Sequence, residues 1–108
     1  MAKKNVPNYI KKEIKSFIES LQSEGIPINE VYLFGSYAKG LQKKDSDIDV
    51  CVISPKFSNG LLATQYLWHM RPKNYIHTIE PVGFHPRDFR AGDTALIDEI
   101  KRTGVQIL

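Results

Sequence analysis

Cysteine is almost missing from this chain: Cys51 is the single example in 108 residues. One thiol rules out an intrachain disulfide and points to a reducing, cytoplasmic setting. Long apolar runs are missing as well, and none approaches the roughly 18 residues that would span a membrane. The opening segment "MAKKNVPNYIKKEIK" has lysines but no apolar stretch behind them, so it does not read as a secretory signal. Internal repeats and low-complexity linkers are absent. A strong charge of one sign is absent too: 15 Lys and Arg against 12 Asp and Glu leave a net +3. That mild basicity suits nucleotides or nucleic acid without requiring either. The tyrosines are scattered rather than clustered into a stacking platform, which makes nucleic acid an unfavoured partner.

What is present is an ordinary globular composition, 42% hydrophobic and 25% charged. The length fits one domain over residues 1–108, with one core. Ile10, Ile14, Phe17, Ile18 and Leu21 repeat at helical spacing, with Pro7 in the first turn and Gly25 at the end. Val31 to Phe34 reads as a strand and Ser36 to Leu41 as a short helix. Ile48 to Ile53 reads as a second strand, central because both faces are apolar beyond Asp49. Leu61 to Met70 reads as a helix with Ala63, Tyr66, Leu67 and Met70 on one stripe. Leu61 and Trp68 lie off it, as second-side core or as a partner surface. Tyr75 to Val82 is a third strand, and Pro81 within it marks a strand end or a sheet edge. Ala95 to Arg102 is a last helix, capped by Asp93 or Thr94 and stopped by Gly104. Val105 to Leu108 is a short closing strand. Alternating helices and strands predict an α/β (α+β) fold with a small mixed sheet flanked by helices.

The chemistry gathers in "VYLFGSYAKGLQKKDSDIDVCVI", residues 31–53. Gly35 ends a strand and opens a helix. Free N–H groups at such a turn bind phosphate, and the Ser36 hydroxyl adds a donor. Taken alone, the pair reads more readily as a tight turn with Ser36 as N-cap. A P-loop is excluded, because Leu41 and Gln42 follow Gly40 where Lys and Ser or Thr are needed. A G-x-G-x-x-G fingerprint is absent. Asp47 and Asp49, two apart at a strand start, send their carboxylates to the same side. Such a pair repels unless a cation lies between, and Mg²⁺ takes one or two carboxylates together with substrate phosphates. Asp45 does not extend the pair into an EF-hand, since Val50 and Lys56 occupy the glycine and glutamate positions. Lys39, Lys43 and Lys44 can steer anions towards the site, whereas Lys3, Lys4, Lys11, Lys12 and Lys15 read as a solvated face. Cys51 reads as buried and inert, and Tyr37 as a surface residue or a base contact. His69, His77 and His85 lack metal-ligand spacing.

Strand, "GSYAKG", then "SDIDV" resembles the DNA polymerase beta-like nucleotidyltransferase superfamily, and the chain's size resembles its minimal nucleotidyltransferase branch. The match is firm over residues 31–53 and weaker to Val82. The resemblance implies the nucleotidyltransferase fold and a two-metal, Mg²⁺-dependent transfer of a nucleoside monophosphate, AMP from ATP, to a hydroxyl acceptor. It implies that Asp47 and Asp49 bind metal and that a third carboxylate lies on a later strand. Glu80 fits that place, with Asp88 as fallback. The family often has Asp there, so Glu80 reaches further. Gly35 and Ser36 would hold the β and γ phosphates and Lys39 would neutralise phosphate charge, where many relatives have Arg. The branch implies a small helical partner of the HEPN type in a toxin–antitoxin pair, with this chain as antitoxin. Against catalysis stands a contact-only module that neutralises such a partner by binding. A nucleic-acid binder using the lysine face is a third reading. The oligomeric state stays open.

Overall fold

The computed structural model describes residues 6–44, 46–72, 78–92 and 94–108. Five helices and four strands follow in the order α1 (Asn8–Ser23), β1 (Glu30–Phe34), α2 (Ser36–Lys39), β2 (Ile48–Ile53), α3 (Gly60–His69), β3 (Ile79–Phe84), α4 (Pro86–Ala91), α5 (Ala95–Thr103) and β4 (Val105–Gln106). The strands form one mixed sheet in the order β3-β2-β1-β4. β1 runs antiparallel to β2 and β4, while β2 and β3 are parallel and joined through α3. No helix among the described residues is long and apolar enough to cross a membrane.

Strand alternation sorts the core into two layers. Val31, Leu33, Ile48, Val50, Val52 and Ile79 face one side, where they meet the α1 stripe together with Ala63 and Leu67 of α3. All five predicted α1 residues are buried, each contributing about 1.5–3 kcal/mol as an upper estimate. Phe34, Cys51 and Ile53 face the other side, where Phe89 of α4 and Ile97 and Ile100 of α5 cover them. The Cys51 thiol is fully buried and pushed up to about 12, chiefly by burial, so it is not a nucleophile.

Several elements depart from the sequence reading. Tyr37 is neither a surface residue nor a base contact: it is 2% exposed, in the core beside Ala38. α2 stops at Lys39, where Gly40 turns left-handed, rather than at Leu41. β3 is Ile79–Phe84, because its parallel ladder with β2 runs over those residues. Tyr75 to His77 lie outside the described residues. Pro7 caps α1 from just outside, and Gly104 closes α5 in an extended rather than a left-handed conformation. Thr94 caps α5 by accepting from the Ile97 amide. α4 begins within "HPRDF", a stretch that reads as a loop or a helix start. Its signals were Pro86 in the first turn, the His85 Nδ1 accepting from the Arg87 amide, and the left-handed Gly92.

Leu61 and Trp68 are not second-side core, at 69% and 40% exposed. Trp68 has a different task. Its indole Nε1–H donates to the Pro81 carbonyl at 2.9 Å, and Arg71 donates to the Ile79 carbonyl at 3.4 Å. The Thr64 Oγ1 accepts from the Gly83 amide at 3.1 Å. Side chains of α3 and the residues just after it therefore close the outer edge of β3, where Pro81 offers no N–H to leave unpaired. The helix approaches so closely that a Cβ at Gly83 would lie 2.9 Å from the Ala63 Cβ and 2.9 Å from the Leu67 Cδ1. Gly83→Ala is expected to lower stability by about 1–3 kcal/mol. A urea midpoint unchanged from the parent would show that α3 can move away at no cost.

Candidate active site

The acids are placed by register. In the β2–β3 ladder Asp49 stands opposite Glu80, and in the β1–β2 ladder it stands opposite Phe34, the residue before Gly35. Asp47 precedes β2 by one residue and is exposed, whereas Asp49 and Glu80 are half-buried. Parallel partners in register share a face, so Glu80 comes up beside Asp49 on the α5 side of the sheet. Asp88 does not join them. It is exposed in the first turn of α4, beyond the far end of β3.

Gly35 sits against this group. Its backbone, at φ 75° and ψ −149°, lies at the edge of a region open essentially to glycine. A Cβ there would run into the Asp49 carboxylate. The glycine thus admits Asp49 to the turn where α2 begins. Ser36 and Lys39, three apart, share the outward face of that single helical turn, while Tyr37 and Ala38 turn into the core. The Lys39 Nζ lies 3.6 Å from the Glu99 carboxylate of α5. Glu99 was not singled out in the sequence, where it is one acid among many on an amphipathic helix.

The acids are electrostatically strained. Burial first, then hydrogen bonding to Asp47 and the charges of Asp47 and Asp49, push Glu80 up to about 7 from the usual 4.5. Asp49 is also raised, by burial first and then by the Asp47 charge, while a hydrogen bond from Glu80 acts the other way and Glu99 adds a smaller repulsion. The pattern is that of a protonated Glu80 donating to its two neighbours. Among the described residues no three acids, histidines or cysteines already stand as a formed metal cage. The donor set is nevertheless all carboxylate oxygen, crowded with negative charge and open on the Asp47 side, which suits a hard divalent cation.

Both shifts raise the folded-state value, so the sign of the linkage is set. Between pH 4.5 and about 7 the folded chain holds a proton on Glu80 that the unfolded chain has lost. Stability therefore falls as pH rises through that window and stays low above it. With EDTA present, the melting temperature is expected to be lower at pH 8 than at pH 5, and Glu80→Gln to remove much of the difference. For a domain of this size about 1 kcal/mol corresponds to about 4–8 °C. A parent and a Glu80→Gln variant with parallel pH profiles would contradict the assignment.

A family model for the nucleotidyltransferase domain matches residues 11–103, nearly the whole chain. The chain belongs to the nucleotidyltransferase domain family. Comparison with curated proteins yields no match. Solved structures agree with the family. A toxin–antitoxin crystallised with AMP-PNP is 27% identical, with a TM-score of 0.62 over 91% of this chain and 72% of that one. A protein assigned as a nucleotidyltransferase from Sulfolobus solfataricus shares the fold at 20% identity and TM-score 0.63, over 91% and 78% of the two chains. The toxin–antitoxin MntA-HepT shares it at 20% identity and TM-score 0.58, over 94% and 72%. The mixed sheet flanked by helices is thus the nucleotidyltransferase fold, and Asp49 and Glu80 of this nucleotidyltransferase domain lie on its two adjacent parallel strands.

Proposed function

We propose that this domain transfers AMP from ATP to a hydroxyl group on a partner protein, with Mg²⁺ held by Asp47, Asp49 and Glu80. The observation that carries the reading is the placement of Asp49, which touches Gly35 on one side and pairs with Glu80 on the other. This geometry supports a reading in which the turn accepts phosphate and the acids accept a cation, one side chain apart. Bound divalent cations would neutralise triphosphate charge and make the acceptor hydroxyl more acidic.

The chain's own groups then divide the work. Gly35 and Ser36 receive the β and γ phosphates at the turn, and Lys39 offsets their charge. Asp47 and Asp49 would hold a divalent cation, which would supply charge neutralisation for the triphosphate. Glu80, the third carboxylate, on β3 beside Asp49, is placed to take the proton of the acceptor hydroxyl. The acceptor oxygen bonds to the α phosphorus, the bond from that phosphorus to the bridging oxygen breaks, pyrophosphate leaves and the hydroxyl proton passes to Glu80. Similarity to a toxin–antitoxin crystallised with AMP-PNP favours an adenine nucleotide and a protein acceptor. The family resemblance makes a helical HEPN-type toxin the natural acceptor, with this chain as antitoxin in the cytoplasm. A contact-only antitoxin is the second reading, and the crowding of three acids argues against it, since binding alone gains nothing from their repulsion.

The test is transfer of label from α-phosphate-labelled ATP with Mg²⁺ in lysate of the source organism, beside an Asp47→Asn, Asp49→Asn double variant. A labelled macromolecule made only by the parent supports transfer. No labelled product with any of the four nucleotides would shift the assignment to the contact-only module.

A further inference from the structure

The acid that engages Lys39 has no part in the reaction described so far. Glu99 lies on α5 between Ile97 and Ile100, both buried against the sheet, and its own side chain stays 38% exposed, as does that of Lys39. The two come from elements far apart in sequence, α2 and α5, and meet at 3.6 Å. Lys39 has the long, flexible stem of any lysine, and ordering it costs about 1.5–2 kcal/mol of rotamer freedom. Its partner decides where the ammonium stays. Because the Glu99 charge is felt by Asp49, the pair sits on the Asp49 side of the sheet, next to the turn that Ser36 opens.

We propose that Glu99 is a positioning residue for triphosphate binding: its carboxylate holds the Lys39 ammonium over the Gly35–Ser36 turn, ready for phosphate. An ammonium has three N–H donors, so it can stay beside Glu99 by charge attraction while its N–H groups turn to phosphate oxygens. The inference rests on the phosphate-binding reading of that turn and adds to it a residue outside the motif. As a stabilising contact alone, an exposed pair of this kind contributes about 0–1 kcal/mol, so the effect should appear in ligand affinity rather than in folding.

The test is a double-mutant cycle on the affinity for ATP with Mg²⁺, measured by titration calorimetry, with melting temperatures recorded for each protein. Lys39→Ala is expected to weaken binding on the order of tenfold, as for a lost hydrogen bond to a charged group. Glu99→Gln is expected to weaken it by about threefold in the parent, within the range of an exposed ion pair. In the Lys39→Ala background the same Glu99→Gln change should weaken nothing, since no ammonium remains to be placed. Melting temperatures should stay close to the parent's. Equal weakening in both backgrounds, or tighter binding by Glu99→Gln in the parent, overturns the positioning role and leaves the phosphate site standing. Absence of ATP binding by the parent overturns both.

Discussion

Replacing Asp49 with Asn should stop nucleotidyl transfer while leaving the protein as stable as before, or more so. Asp49 touches both halves of the site, Gly35 and Glu80. The amide keeps its shape but not its charge, and a cation loses its most enclosed ligand. Metal-assisted charge stabilisation contributes several kcal/mol, so the transfer rate should fall on the order of a thousandfold or more. Stability moves the other way for a reason already visible in the fold. The ionised Asp49 is disfavoured by burial and by the Asp47 charge, and a neutral side chain escapes both. Transfer rates and EDTA-treated melting curves at pH 8 make the comparison. A variant that loses activity because it melts early would remove the catalytic inference, and one that transfers at the parental rate would remove Asp49 from the chemistry.

Gly35→Ala should be the more damaging of two alanine substitutions that look alike. Gly35 and Gly40 flank α2 with φ of 75° and 72°, so either substitution puts a side chain at positive φ, at about 1–3 kcal/mol. There the likeness ends. A Cβ at Gly40 meets nothing within 4 Å, whereas one at Gly35 collides with the Asp49 carboxylate. Gly40→Ala is expected to lower stability modestly and leave transfer nearly intact. Gly35→Ala is expected to displace Asp49 and to reduce transfer nearly as far as Asp49→Asn does. Equal activities for the two variants would mean that the contact between Gly35 and Asp49 has no role in catalysis.

The parts of this architecture that were legible in the sequence are those with local causes. The α1 stripe follows from spacing alone, and β2 was read at its observed ends, Ile48 and Ile53, because its apolar alternation is unbroken. Pro81, which cannot donate to a ladder, pointed to a strand end or a sheet edge, and β3 is the edge strand. Contacts across the chain were harder. That Glu80 faces Asp49 could be supposed from a family pattern, but the pairing itself is a long-range register that no window of sequence contains. Tyr37 looks like a surface residue inside a polar motif, yet one helical turn after Gly35 rotates it inward. Glu99 could not be told from its helix neighbours, since only the docking of α5 beside α2 gives it Lys39. The roles of Asp47, Asp49, Glu80, Gly35, Ser36 and Lys39 remain proposals that the experiments above decide.

The closed outer edge of β3 has a bearing on fidelity. Strands tolerate slippage where their edges are free, and a slip of one residue turns every side chain to the opposite face. For β3 such a slip would bury Glu80 against α3 and offer Ile79 to Asp49. Trp68, Arg71 and Thr64 each hold a particular backbone group of β3, two carbonyls and one amide. Together they act as a gauge that accepts the strand in one setting only. Side chains remote from the acid cluster thereby determine which residue Asp49 meets.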